Sequence, residues 1–230
     1  MASHSKIGDT PFFDPGQFPW STRIEADWPQ IRSELDRLLR YRDQVPNMQD
    51  ISVEQAALTT DDNWKVFFFY AYGRRFDRNC ATCPATAQAL AGIPGMTTAF
   101  FSILGPGKHL PMHRGPYKGV VRYHLGLKVP DPVDACGIRV GGEVAHWREG
   151  ASMFFDDTYP HEAWNTTESD RVVLFVDVVR PVRQPYSLIN RVLLYALRYT
   201  PFVRGATDDT AAWDRLAQLL DRDAGDQPVR

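Results

Sequence analysis

The chain has 230 residues, 43% hydrophobic and 23% charged, with a net charge of −2. Those are the proportions of an ordinary globular protein with enough chain for one sizeable core. The slight acidity excludes nucleic acid as a main partner, because a phosphate-binding surface carries a basic excess.

In chain order, residues 1–20 are rich in Pro, Gly, Phe and Asp and read as an irregular lead-in. They lack the apolar stretch of a secretory signal, and no run of about eighteen apolar residues follows, so the expected location is cytoplasmic. Residues 26–42 place Trp28, Ile31, Leu35, Leu38 and Leu39 at helical spacing, with charges opposite. "NWKVFFFYAY", 63–72, predicts a buried strand. Residues 82–92 predict a short helix with Pro near its start and Gly at its end. Within this region Cys80 and Cys83 form a C-x-x-C pair, but with Cys136 the only other cysteine neither a disulfide framework nor a zinc site is expected.

After residue 95 the texture changes. "MTTAFFSIL", "GVVRYHLGLKV", "GIRVGGEVAHW", "ASMFFDD" and "RVVLFVDVVRP" are short strands separated by Gly and Pro turns. This predicts a mainly β fold with a jelly-roll core, a cupin-like double-stranded β-helix, flanked by N- and C-terminal helices. The organisation expected is a domain over 21–182 and a helical extension over 183–230. In that extension Leu188, Val192, Tyr195 and Tyr199 share a stripe, Arg191 and Arg198 share a face, and a second short helix spans 208–222. Residues 186–204 are expected either to dock on the barrel or to lie on an anionic membrane as an interfacial helix.

The chemistry concentrates in "HRGPYKGVVRYHLGL", 113–127. Two histidines on strands or strand ends, far apart in sequence, are what a double-stranded β-helix presents to one metal; His113, His124 and His161 lie in this region, and neutral imidazole suits Fe(II), Zn and Cu alike. His161 reads as lying in a turn between two strands. Non-haem Fe(II) oxygenases place a carboxylate two residues after the first histidine. Here Gly115 stands there and leaves a hole that water can fill. Arg171 opens the strand "RVVLFVDV"; inside a barrel it needs a carboxylate partner, such as the far end of a keto acid. Arg122 and His124 alternate with Tyr123 and share one strand face, adding cationic or donor groups to the pocket. Asp157 reads either as orienting a ligand imidazole or as a loop cap.

Those two runs, with "WREGASMFFDDTYPHEAWNTTESDRVVLFVDVVRP", "NWKVFFFYAYGRR" and "CPATAQAL", resemble the aspartyl/asparaginyl β-hydroxylase family across roughly residues 20–182. The resemblance implies an Fe(II)- and 2-oxoglutarate-dependent dioxygenase on a jelly-roll core. It implies His113 and His161 as iron ligands, Arg171 on the distal carboxylate of 2-oxoglutarate, and Ser102, Arg122, His124 and Trp64 along the cosubstrate pocket. Animal members share the glycine found at 115, with water completing the coordination. O2 and 2-oxoglutarate are the implied partners. The acceptor is an Asp/Asn-type residue, an amino acid or a lipid acyl chain, since "PYKGVVRYHLGL" and "RPVRQPYSLINRVLLYALR" also resemble the bacterial lipid A hydroxylase branch. The competing readings are a cupin-like protein that has lost catalysis, with Gly115 as the scar, and a metal-independent carboxylate-binding module.

Overall fold

The computed structural model describes residues 2–51, 58–197, 213, 215–216 and 218–220. The strands are β1 (Phe12–Phe13), β2 (Trp64–Ala71), β3 (Arg74–Arg75), β4 (Met96–Leu104), β5 (His109–His113), β6 (Val120–Lys128), β7 (Cys136–Val140), β8 (Glu143–Ala145), β9 (Ser152–Phe155), β10 (His161–Asn165) and β11 (Arg171–Val179). The helices are α1 (Ser21–Ala26), α2 (Trp28–Leu39), α3 (Met48–Ile51), α4 (Asp77–Thr82), α5 (Pro84–Ala91) and α6 (Tyr186–Leu197).

Seven strands form one antiparallel sheet in the order β1-β9-β6-β11-β4-β2-β3, and four form a second in the order β5-β10-β7-β8. A cavity lined from both sheets lies between them. This is the expected jelly roll. Strand β2 is covered on both faces, which is why "WKVFFFYA" is almost wholly apolar; its one charge, the buried Lys65, donates to the Val45 carbonyl. Phe68, Phe100 and Phe175 face the cavity. Phe67, Phe69 and Phe101 point the other way and pack against each other in the buried core.

Several elements differ from the sequence expectation for identifiable reasons. The lead-in supplies β1, which pairs Phe12 with Phe155, while Phe18 stacks on Phe154 at 4.0 Å; aromatic burial draws it onto the sheet. The helix expected over 26–42 is α2, 28–39; a separate α1 precedes it, and the two part at Asp27 because Pro29 has no N–H to continue the ladder. The helix expected at 82–92 is preceded by α4, and Pro84 separates the two. "GIRVGGEVAHW" is a hairpin, β7–β8, that turns at Gly141 and Gly142 with φ of +58° and +93°. Two further strands were hidden. "HLPMH" forms β5 despite Pro111, which an edge strand tolerates. His161 begins β10 rather than lying in a turn.

The three cysteines are buried and free. Of the helix expected at 208–222, residues 213, 215–216 and 218–220 are helical, and Trp213 packs edge-on against Phe76 at 5.0 Å. Its remainder, and residues 198–204, lie outside the described residues. Among the described residues no helix is long and apolar enough to cross a membrane.

Candidate active site

Strand alternation puts Arg122 and His124 of β6 on one face, and β11 sets Asp177 and Phe175 directly opposite them. Arg171 lies on the same face of β11, at even spacing from Phe175 and Asp177. This wall and the facing four-stranded sheet enclose a cavity of about 580 Å³. His113 and His161 reach it from paired positions on β5 and β10, with ring centroids 4.0 Å apart.

The hydrogen bonds of the two rings fix their chemistry. His113 Nδ1 lies 2.7 Å from the Pro111 carbonyl, and His161 Nδ1 lies 3.0 Å from that of Tyr159. A carbonyl only accepts, so each Nδ1 carries the hydrogen and each Nε2 keeps its lone pair. Burial lowers both pKa values, with His161 brought to about 3 by desolvation and then by the His113 charge. Two neutral imidazoles thus stand side by side, each with a lone pair uncommitted on Nε2. That donor set fits a divalent transition metal. Among the described residues no third His, Cys, Asp or Glu completes a cluster with them.

The opposite end of the cavity is the reverse: donors without acceptors. Arg171 is 2% exposed, and its guanidinium lies 4.3 Å over the Trp147 ring. Its Nε and Nη1 have no hydrogen-bond partner. Burial depresses its pKa to about 10, which still leaves it cationic at neutral pH. His124 Nδ1 accepts a bond from Trp147 Nε1 at 3.2 Å, so its Nε2 carries a hydrogen that also finds no partner. Burial and the Arg171 charge hold His124 neutral, well below the usual histidine range. Ser102 Oγ accepts from Trp64 Nε1 at 3.1 Å, which leaves its own hydroxyl hydrogen to donate. Unmet buried donors around a cation are costly by themselves. They fit a carboxylate, which would accept two parallel bonds from the guanidinium.

The Arg171 end is held by Asn165. Its Nδ2 donates to the carbonyls of Leu104, Gly105 and Ser169, tying together the ends of β4, β10 and β11. Asn165 is itself fully buried.

Arg122 lines the cavity, but its charge is already matched. Its guanidinium lies 2.9 Å from Asp157 Oδ2 and 3.0 Å from Asp177 Oδ1. Asp157 resolves the question of Gly115. A Cβ built at 115 would collide with the Asp157 carboxylate, and Gly115 N donates to the Asp157 carbonyl at 2.7 Å. The space a side chain at 115 would use is filled from the next loop. Asp157 Oδ1 is buried without a partner, and desolvation raises its carboxyl pKa against the opposing pull of Arg122.

All seven residues singled out by sequence (Trp64, Ser102, His113, Arg122, His124, His161 and Arg171) line this one cavity. The other histidines stand apart: His109 pairs with Glu162 at an exposed position, His146 bonds the Cys136 carbonyl, and His4 stacks on Tyr186. Sequence reasoning overlooked Asp177 and Trp147. Asp177 had a signal, since it interrupts an apolar strand at even spacing from Arg171. Trp147 had none.

Three comparisons bear on this arrangement. The family profile described as aspartyl/asparaginyl beta-hydroxylase matches residues 25–181. An ornithine lipid ester-linked acyl 2-hydroxylase of Rhizobium tropici is 47% identical over 212 residues, covering 92% of this chain and 75% of its own length. The human aspartyl/asparaginyl beta-hydroxylase is 32% identical over 179 residues, 73% of this chain but 23% of that much longer protein. Among solved structures, a Pseudomonas putida prolyl-4-hydroxylase aligns with a TM-score of 0.44 at 18% identity, covering 66% of this chain and 87% of that one.

Proposed function

The chain belongs to the aspartyl/asparaginyl β-hydroxylase family, and on that premise we propose that it is an Fe(II)- and 2-oxoglutarate-dependent hydroxylase of a lipid acyl chain. One observation carries the reading of the cofactors: a cavity with two uncommitted imidazole lone pairs at one end and an unmatched buried guanidinium at the other. In this reading His113 and His161 hold iron through Nε2. Arg171 takes the distal carboxylate of 2-oxoglutarate, assisted by the His124 Nε2 hydrogen and the Ser102 hydroxyl. When bound, iron couples O2 to the oxidative decarboxylation of 2-oxoglutarate, releasing succinate and CO2 and placing one oxygen atom in an acceptor C–H bond as hydroxyl.

The protein's share is placement and exclusion. The Pro111 and Tyr159 carbonyls orient the imidazoles and raise their basicity. Asp177 anchors Arg122, and Arg122 holds the Asp157 carboxylate beside Gly115. Phe155, whose ring centroid is 6.1 Å from that of His161, and Phe175 give this part of the cavity an apolar wall.

The acceptor follows from what remains. Met48, Leu58, Phe68, Ala71 and Phe100 also line the cavity and form an apolar side. An aspartyl acceptor would need an interior cation of its own. Of the cations that line the cavity, Arg122 is already bound by two carboxylates, Arg171 is assigned to the cosubstrate, and Arg114 is exposed rather than interior. A hydrocarbon chain needs none. The acyl 2-hydroxylase name of the 47% identical relative supports the same class of acceptor.

The test begins anaerobically. The Fe(II)-loaded chain is titrated with 2-oxoglutarate, and a visible charge-transfer band is expected, abolished in His161→Ala and Arg171→Ala. No band, with iron absent after loading, would leave a binding protein without catalysis. Aerobic incubation with lipid, amino-acid and peptide acceptors then follows. Mass spectrometry should find one added oxygen on an acyl chain; oxygen on an Asp or Asn acceptor instead would overturn the lipid assignment.

A further inference from the structure

Helix α6 turns Asn190 to the protein and most of its large apolar side chains to water. At about 100° per residue, Leu188, Ile189, Val192 and Leu193 fall within an arc of roughly 140°. They are 62%, 47%, 58% and 45% exposed, half of the eight large apolar side chains that stand exposed among the described residues. Asn190, on the opposite side, is fully buried: it accepts from Tyr117 Oη at 2.7 Å, and its Nδ2 donates to the Gly119 carbonyl at 2.8 Å. A surface helix ordinarily does the reverse, and a contiguous apolar patch marks an interaction site.

Charge selects the occupant. Residues 181–207 contain Arg183, Arg191, Arg198 and Arg204 and no Asp or Glu, in a chain whose net charge is −2. Arg183 and Arg191 are exposed, and Arg191 flanks the apolar arc. An antiparallel pair of α6 helices would bring the two Arg191 side chains together at its centre, which disfavours a second copy of the chain. An apolar arc edged by arginines suits an anionic lipid surface.

The position of the helix matches that surface to the cavity. Asn190 grips the loop at Tyr117 and Gly119, and the same loop carries Arg114, Gly115 and Pro116 into the cavity lining. We infer that α6 seats this protein on the anionic face of a lipid bilayer, with its apolar arc in the interface and the cavity mouth held at that surface. That the acceptor is drawn from this surface rests on the acyl-chain reading; the seating itself does not.

The experiment is co-sedimentation of the full chain with vesicles of phosphatidylcholine alone and of phosphatidylcholine mixed with phosphatidylglycerol. Binding to the mixed vesicles is expected, weakened by salt and at least roughly tenfold poorer without the anionic lipid. Leu188→Ser combined with Val192→Ser should weaken it by roughly tenfold or more. Arg183→Glu combined with Arg191→Glu should do the same, and all four positions are exposed, so the melting temperature should hold. Undiminished binding by the apolar pair variant would overturn the inference. So would a wild type that ignores every vesicle, or one whose dimer in sedimentation velocity is dissolved by that variant. Binding that behaves as expected while the vesicle lipids gain no oxygen would keep the seating and remove the acyl-chain reading.

Discussion

Strand β11 begins and is followed by a buried arginine, and the two are treated oppositely. Arg180, 1% exposed, reaches Asp156 Oδ2 at 2.5 Å, and that carboxylate is itself fully buried. Arg171, 2% exposed, has no carboxylate within reach among the described residues and leaves Nε and Nη1 unbonded, where Arg180 leaves only Nε. Burial alone therefore does not identify a structural charge. What separates the two is whether the fold supplies the counter-ion, and only at Arg171 is that left to a ligand.

Substituting both residues alike tests this directly. Arg180→Met should strand the Asp156 carboxylate and cost about 3–5 kcal/mol of stability, towards the lower end because Lys118 Nζ lies 3.4 Å from the same oxygen. It should leave 2-oxoglutarate affinity nearly unchanged in the folded fraction. Arg171→Met should hold or raise stability, since it removes an unpaired buried charge. It should weaken 2-oxoglutarate binding by about a hundredfold, the scale of losing charge-assisted hydrogen bonds. Denaturant unfolding and ligand titration read the two effects separately. Equal destabilisation by both changes would erase the distinction.

A smaller effect is expected where Asp157 fills the space beside Gly115. Gly115→Ala should cost about 1–3 kcal/mol by overpacking, because the new methyl meets the Asp157 carboxylate. In an Asp157→Ala background the obstructing atoms are gone, and the cost should fall below about 1 kcal/mol. Additive costs in that double-mutant cycle would mean that something else excludes a side chain at 115.

Much of this was legible in the sequence because period-two alternation is strict. Once "VVRYHLGLK" and "RVVLFVDVV" are strands, Arg122 must share a face with His124, and Arg171 with Asp177. The spacing from His113 to His161 also carried the family resemblance. What was not legible depends on register and three-dimensional contact. Nothing local says that β5 and β10 pair His113 with His161, because "HLPMH" lacks β-prone residues and contains a proline. Gly115 reads as an empty place until the loop at 156–158 is folded against it. The apolar stripe of α6 is visible as periodicity, but periodicity does not say which side faces the protein; the buried Asn190 decides that.

The remaining effect is a slope, and it contrasts the imidazole end of the cavity with the solvent-exposed chain. In the folded protein His161 has a pKa of about 3 against a usual value of 6.5. Between those values the unfolded chain binds the proton and the folded chain does not. Stability therefore rises with pH across this window and is lost as pH falls from about 6.5 towards 3. His161→Asn removes that proton, so the metal-free variant should show a slope shallower by about 1.4 kcal/mol per pH unit than the metal-free wild type. Asp157 works the other way, because its raised pKa makes the folded state the one that takes up a proton. Comparing the two proteins over the same pH series cancels that contribution. Parallel slopes would mean that His161 is as accessible to protons in the fold as in the open chain. The tautomer assignment, with Nε2 uncommitted in a desolvated pocket, would then fall with it.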